Sequence, residues 1–146
     1  MHDLPRQLSR EELSELFEGD TALVRRLAET EEPLGRARRV ALELSEDEKL
    51  EALNAHPAIG QRAGLSARSA AEQGADADPE VLEELARLNA EYERRFGFRF
   101  VIFVNRRPKA EILEVLRARL DRPRAEELDT AVEELVAIAE DRWRHS

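Results

Sequence analysis

The sequence predicts an all-α fold of about seven to nine helices, in one domain spanning residues 1–146. Three observations carry that expectation. First, Leu, Ala, Glu and Arg dominate, with only six glycines and six prolines, a composition that favours helices with solvated outer faces. Second, apolar residues recur at helical spacing behind recognisable start signals. Third, only Phe98 to Val104 reads as β-like, and a lone strand has no partner with which to build a sheet. With 146 residues, 42% of them hydrophobic, the chain can bury one core, whereas two independent domains would each be marginal.

The elements follow in order. Ser9-Arg10-Glu11-Glu12 reads as a capping box, and Leu13, Leu16 and Phe17 form the apolar face behind it. Asp20 is the expected cap of a second helix carrying Leu23, Val24 and Leu27. A third helix is expected over roughly Leu34 to Leu44, with Ala37, Val40 and Leu44 at helical spacing. Ser45-Glu46-Asp47-Glu48 is a second capping box, opening a helix with Leu50 and Leu53 that ends before His56. A short helix from about Ser66 past Ser69 and Glu72 would close at Gly74. Asp78-Pro79 is a strong start for a helix with Val81, Leu82, Leu85, Leu88 and Tyr92, and Gly97 is its natural terminator. Phe98 to Val104 is then read as an extended linker inside the core. Pro108 opens a helix with Ile112, Leu113, Leu116 and Leu120, and Pro123 opens a last, long one reaching Trp143.

A net charge of −9 argues against a general nucleic-acid binder, which needs a basic patch to neutralise phosphates. No run approaches a membrane span, the first residues carry no apolar signal core, and no cysteine is present. A cytoplasmic protein is therefore expected.

The residues available for chemistry are few. His2 and His145 lie near the termini, and no acid–histidine spacing resembles a metal site. No glycine-rich loop follows a strand, and a serine nucleophile would lack its strand–turn–helix elbow. His56 stands out in His56-Pro57-Ala58-Ile59-Gly60. Proline disfavours helical geometry in the residue before it, so His56 should project from a helix-to-loop corner. There it suits either proton transfer or a simple bond to a carbonyl. Glu72 is the best carboxylate partner, sharing a helical face with Ser69 and followed by Gln73. By itself Glu72 is read more simply as a surface acid, although a hydroxyl, a carboxylate and an amide together also suit a polar, urea-like ligand.

Four stretches, in this order, change the balance: His56 to Gly60, Ser69 to Gln73, Leu88-Asn89-Ala90-Glu91-Tyr92, and Phe96-Gly97-Phe98-Arg99-Phe100-Val101-Ile102. Together with Ile112-Leu113 to Arg119-Leu120 and Ile138 to Arg142, the set resembles the 2-oxo-4-hydroxy-4-carboxy-5-ureidoimidazoline (OHCU) decarboxylase family of urate degradation. The resemblance covers nearly the whole chain. It implies that His56 is the catalytic histidine, with Pro57 as a ligand-contacting neighbour. It implies that Glu72 lies beside the substrate, with Ser69 and Gln73 in the same binding helix. Val101, Ile102, Phe103, Val104 and Asn105 match the segment whose backbone contacts the substrate ring. Arg142 matches a C-terminal arginine that reaches the site, although Arg144 is close by. The departures are a short loop between Gly60 and Ser69 and an uncommon continuation at Asn105-Arg106-Arg107.

The resemblance further implies a homodimer, no metal and no cofactor, and conversion of a small ureidoimidazoline to (S)-allantoin. Two other readings stand beside it: an enzyme acting on a different ureide, and a non-enzymatic helical interaction module. The module would require tolerance of changes at His56 and Glu72 and an exposed apolar stripe.

Overall fold

The computed structural model describes residues 7–56 and 79–145. The chain is all-α, with seven helices among the described residues. They are α1 (Arg10–Phe17), α2 (Ala22–Ala28), α3 (Pro33–Glu43), α4 (Glu46–Ala55), α5 (Pro79–Phe96), α6 (Lys109–Leu120) and α7 (Arg124–Arg144). The helix expected between Ser66 and Gly74, and the Asp78 cap, lie outside the described residues. No described helix is long and apolar enough to cross a membrane.

The residues gather into two compact units. The first takes its described residues from within Met1–His56, Val101–Phe103 and Leu128–Ser146, and the second from within Pro57–Phe100 and Val104–Glu127.

In the first unit both capping boxes form. Ser9 Oγ accepts the Glu12 amide at 3.1 Å and Glu12 accepts the Ser9 amide at 3.0 Å. Ser45 and Glu48 repeat the arrangement at 3.2 and 3.0 Å. The cap of α2 is Thr21 rather than Asp20. Thr21 Oγ1 accepts the Val24 amide, while the Asp20 carboxylate accepts from Arg10 Nε at 2.7 Å. Either residue type caps well, and the ion pair with Arg10 draws Asp20 away. Glu51 from α4 then accepts the Ala22 amide at 2.7 Å, placing negative charge at the start of α2. Leu13, Leu23, Val24, Leu27, Leu34, Ala37 and Leu53 are fully buried. Leu34, Ala37 and Leu44 are buried as expected, whereas Val40 is only half-buried and Ala41 takes its place in the core.

In the second unit α5 buries Leu85, Leu88, Asn89, Tyr92 and Phe96. Gly97 ends the helix with φ +82°, a conformation that side chains rarely adopt, and its amide donates to Glu93 O at 2.9 Å. Phe98 to Val104 is extended, without a strand partner among the described residues, and largely buried. That agrees with the sequence expectation. Tyr92 lies at the centre of an aromatic group, 4.6 Å from Phe96, 5.8 Å from Phe98 and 5.2 Å from Phe100 between ring centroids.

Candidate active site

His56 takes its position from the end of α4. Its amide donates to Leu53 O at 3.2 Å, and its backbone turns extended at φ −81°, ψ 139°. This is the geometry that the following proline favours. The side chain is buried, at 8% exposure. Pro57, Ser69, Glu72 and Gln73 lie outside the described residues.

Arg142 comes from the last turn of α7 and is 4% exposed. Nη1 donates to Leu16 O at 2.9 Å, and Nη2 pairs with Glu18 Oε1 at 3.1 Å. Leu16 O belongs to the C-terminal turn of α1, where the helix dipole favours a cation. Glu18 stands just after that helix in the left-handed region, at φ 64°. Arg144 differs from its neighbour: it is half-exposed and pairs with Glu140 on the same helix at 3.8 Å. The structure thus separates the two arginines that the sequence left side by side.

Val101 and Ile102 are buried and Phe103 is half-buried. The Phe103 amide donates to Glu134 Oε1 of α7 at 3.4 Å. His56, Val101 to Phe103, and Arg142 belong to the first compact unit. Val104 and Asn105 belong to the second. Val104 O accepts the Arg107 amide at 3.0 Å across a tight turn, with Asn105 at φ 49° and Arg106 at φ 62°. Positive φ at both central positions favours Asn followed by Gly. Arg106 occupies the position where glycine would carry no strain.

Sequence reasoning missed one buried polar centre. Glu127 is fully buried at the start of α7. It accepts from Tyr92 Oη at 2.6 Å, from Arg122 Nη1 at 3.1 Å and from Arg119 Nε. The Arg119 guanidinium also lies over the Phe100 ring, 4.6 Å from its centroid. Burial, and the bond to the Glu127 carboxylate, push the Tyr92 phenol well above its ordinary range. The signal was present: Arg119 continues the apolar stripe of Ile112 and Leu116, and Glu127 that of Ala131 and Leu135. An acid and a base at core positions of successive helices mark a buried pair. No three acidic or histidine side chains gather as metal ligands do among the described residues.

Residues 2–144 match the OHCU decarboxylase family. The chain belongs to the OHCU decarboxylase family. It is 35% identical over 108 residues to the 2-oxo-4-hydroxy-4-carboxy-5-ureidoimidazoline decarboxylase of Haloferax volcanii, covering 70% of this chain and 64% of that protein. It is 36% identical over 100 residues to the uric acid degradation bifunctional protein of Arabidopsis thaliana, covering 62% of this chain and 31% of that protein. The matched part is therefore less than two thirds of the length of these relatives. Among solved structures it resembles an OHCU decarboxylase crystallised in the presence of (S)-allantoin, with a TM-score of 0.76 and 27% identity, covering 90% of this chain and 94% of that one. The all-α architecture is thus that of an OHCU decarboxylase.

Proposed function

We propose that this chain decarboxylates OHCU to (S)-allantoin during urate breakdown. The observation that carries the reading is the match of residues 2–144 to the OHCU decarboxylase family, joined to a fold shared over 90% of this chain with an OHCU decarboxylase crystallised in the presence of (S)-allantoin. A buried histidine at a helix end supports it, because an imidazole held in one place can both give and take the proton this reaction moves.

The substrate carries a carboxylate on a hydroxylated ring carbon, next to a C=N carbon that bears the ureido group. When the bond to the carboxylate breaks, its electrons form a C=C bond and the C=N electrons move to nitrogen, which takes a proton. The substrate supplies its own electron sink, so no cofactor is required. The resulting enol loses its hydroxyl proton, and a proton added at the ureido-bearing carbon gives allantoin. Delivery to one face gives the (S) form. The protein must hold the carboxylate out of the ring plane and move protons to fixed positions.

In this reading His56 engages the carboxylate or hydroxyl and shuttles the proton. Glu72 orients His56 or binds the ureido nitrogens, and Pro57, Ser69 and Gln73 contact the substrate. Backbone groups of Val101 to Asn105 hold the ring. Arg142, anchored at the end of α1, supplies positive charge to an anionic substrate. We further read residues 1–146 as one OHCU decarboxylase-like domain, acting as a cytoplasmic homodimer.

Urate oxidase and hydroxyisourate hydrolase can generate the labile substrate in place, followed by circular dichroism. Wild-type protein should give a rapid (S)-allantoin signal, and His56→Ala should slow it by about 10²–10⁴-fold. Slow racemic allantoin with wild type would reject the reaction, and near-full activity in His56→Ala would remove His56 from the chemistry.

A further inference from the structure

The extended segment before the 104–107 turn poses a backbone problem. A helix satisfies its own amides and a sheet pairs them across strands, but Phe98 to Val104 does neither among the described residues. Its partly buried N–H groups need other partners. Glu134 supplies one, accepting the Phe103 amide at 3.4 Å. Glu134 is half-buried and lies on α7, two turns before Arg142.

A peptide unit is planar, with its N–H and C=O on opposite sides. Holding the Phe103 N–H toward α7 therefore sets the plane of the whole 102–103 peptide and turns the Ile102 carbonyl to the opposite side. A carboxylate acceptor makes the hold stronger than a neutral one would. We propose that Glu134 is a positioning residue that fixes this peptide, and with it the backbone that Val101 to Phe103 present to the substrate ring. The inference rests on the functional reading above. It adds a residue that acts through the backbone without touching the reacting atoms.

The test compares wild type, Glu134→Ala and Glu134→Gln in the coupled assay, with amide hydrogen exchange followed at Phe103. Glutamine keeps an acceptor oxygen and alanine keeps none. In Glu134→Ala, KM should rise about tenfold with kcat nearly unchanged, as expected for losing one binding determinant common to ground and transition states. Exchange at Phe103 should accelerate in the same variant. Glu134→Gln should restore both toward wild type. An unchanged KM in Glu134→Ala, or equal losses in the two variants, would overturn the inference. So would a loss of thermal stability alone, since that is what a merely structural acid would give. A wild-type chain inactive on OHCU would bring down the functional reading as well, whereas an active wild type with an unmoved Glu134→Ala sinks only the inference.

Discussion

Replacing Glu127 by leucine should be among the most destabilising single changes in this chain. Glu127 has no exposed surface, and the Arg119 side chain beside it is only 6% exposed. Leucine is of similar size, so the cavity left is small. The loss comes from what is stranded: the Tyr92 hydroxyl, the Arg119 guanidinium and one arm of Arg122 each lose the same acceptor. Breaking a buried pair by removing one partner costs about 3–5 kcal/mol, because the remaining charge stays buried. The entropy of unfolding of a chain this long is about 0.3 kcal/mol/K, so that cost lowers Tm by about 10–16 °C. Arg122, 38% exposed, can turn to water and contributes little to the loss. Far-UV circular dichroism during heating measures the shift. The decisive comparison adds Arg119→Met to Glu127→Leu. If the stranded charge causes the damage, the double variant should be more stable than the single one, because an apolar pair of similar volume replaces a buried ion pair at little cost. A Tm loss in Glu127→Leu below a quarter of the expected range, or a double variant less stable than Glu127→Leu, would refute the reasoning.

Tyr92 is the only tyrosine, so alkaline titration reads it alone. Its folded-state pKa lies above the ordinary value of 10.0, chiefly through burial. The stability it contributes is complete below that value, and as pH rises past it unfolding is favoured by about 1.4 kcal/mol per pH unit. Tyrosinate absorbance should appear together with unfolding, and ionisation of the folded protein at pH 10 would contradict this. Tyr92→Phe should abolish this part of the alkaline sensitivity while losing a hydrogen bond to a charged acceptor, worth about 1.5–3 kcal/mol. At the two turns, opposite changes should have opposite signs. Arg106→Gly should stabilise by up to about 1 kcal/mol by relieving a left-handed arginine, and Gly97→Ala should destabilise by about 1–2 kcal/mol. A Cβ at Gly97 would meet only Arg124 Nη2, at 4.0 Å, so strain alone is tested there. Denaturant midpoints that move in the same direction for both variants would exclude backbone strain as the common cause.

The helices were legible because their signals are local. Ser9 and Ser45 with their acids three residues on, Pro79 at a helix start, and Gly97 at an end depend on a few neighbouring residues. Locality also explains the misplacement at α2. In isolation Asp20 is the better cap of the two, and it is engaged instead by Arg10, ten positions away. His56 was legible as a corner because proline constrains the residue before it. The anchoring of Arg142 was not, because its partners are Leu16 and Glu18, more than a hundred residues distant in sequence. Glu134 was hidden for another reason: an acid on a long, charged helix looks like solvated surface until its distant amide partner is known.

These contacts share a logic that bears on why a helical protein keeps irregular backbone at all. A helix interior spends its own N–H and C=O groups, so recognition of a polar ring through main-chain atoms requires chain ends, turns or extended stretches. Such stretches lack the cooperative ladder that would hold them in place. Here charged side chains do that holding. Glu134 holds the Phe103 amide, Arg107 Nε donates to Val104 O at 3.1 Å, and Arg142 binds the carbonyl end of α1. Each contact joins a long side chain to a backbone atom in a turn, an extended stretch or a helix end, and Val104 O accepts the Arg107 amide as well. The consequence is separable energetics. If the proposed function holds, losing one anchor should loosen recognition while the helical core, stabilised by apolar burial and by its caps, stays folded. Losing Glu127 or its buried partners Arg119 and Tyr92 should instead lower the stability of the fold itself.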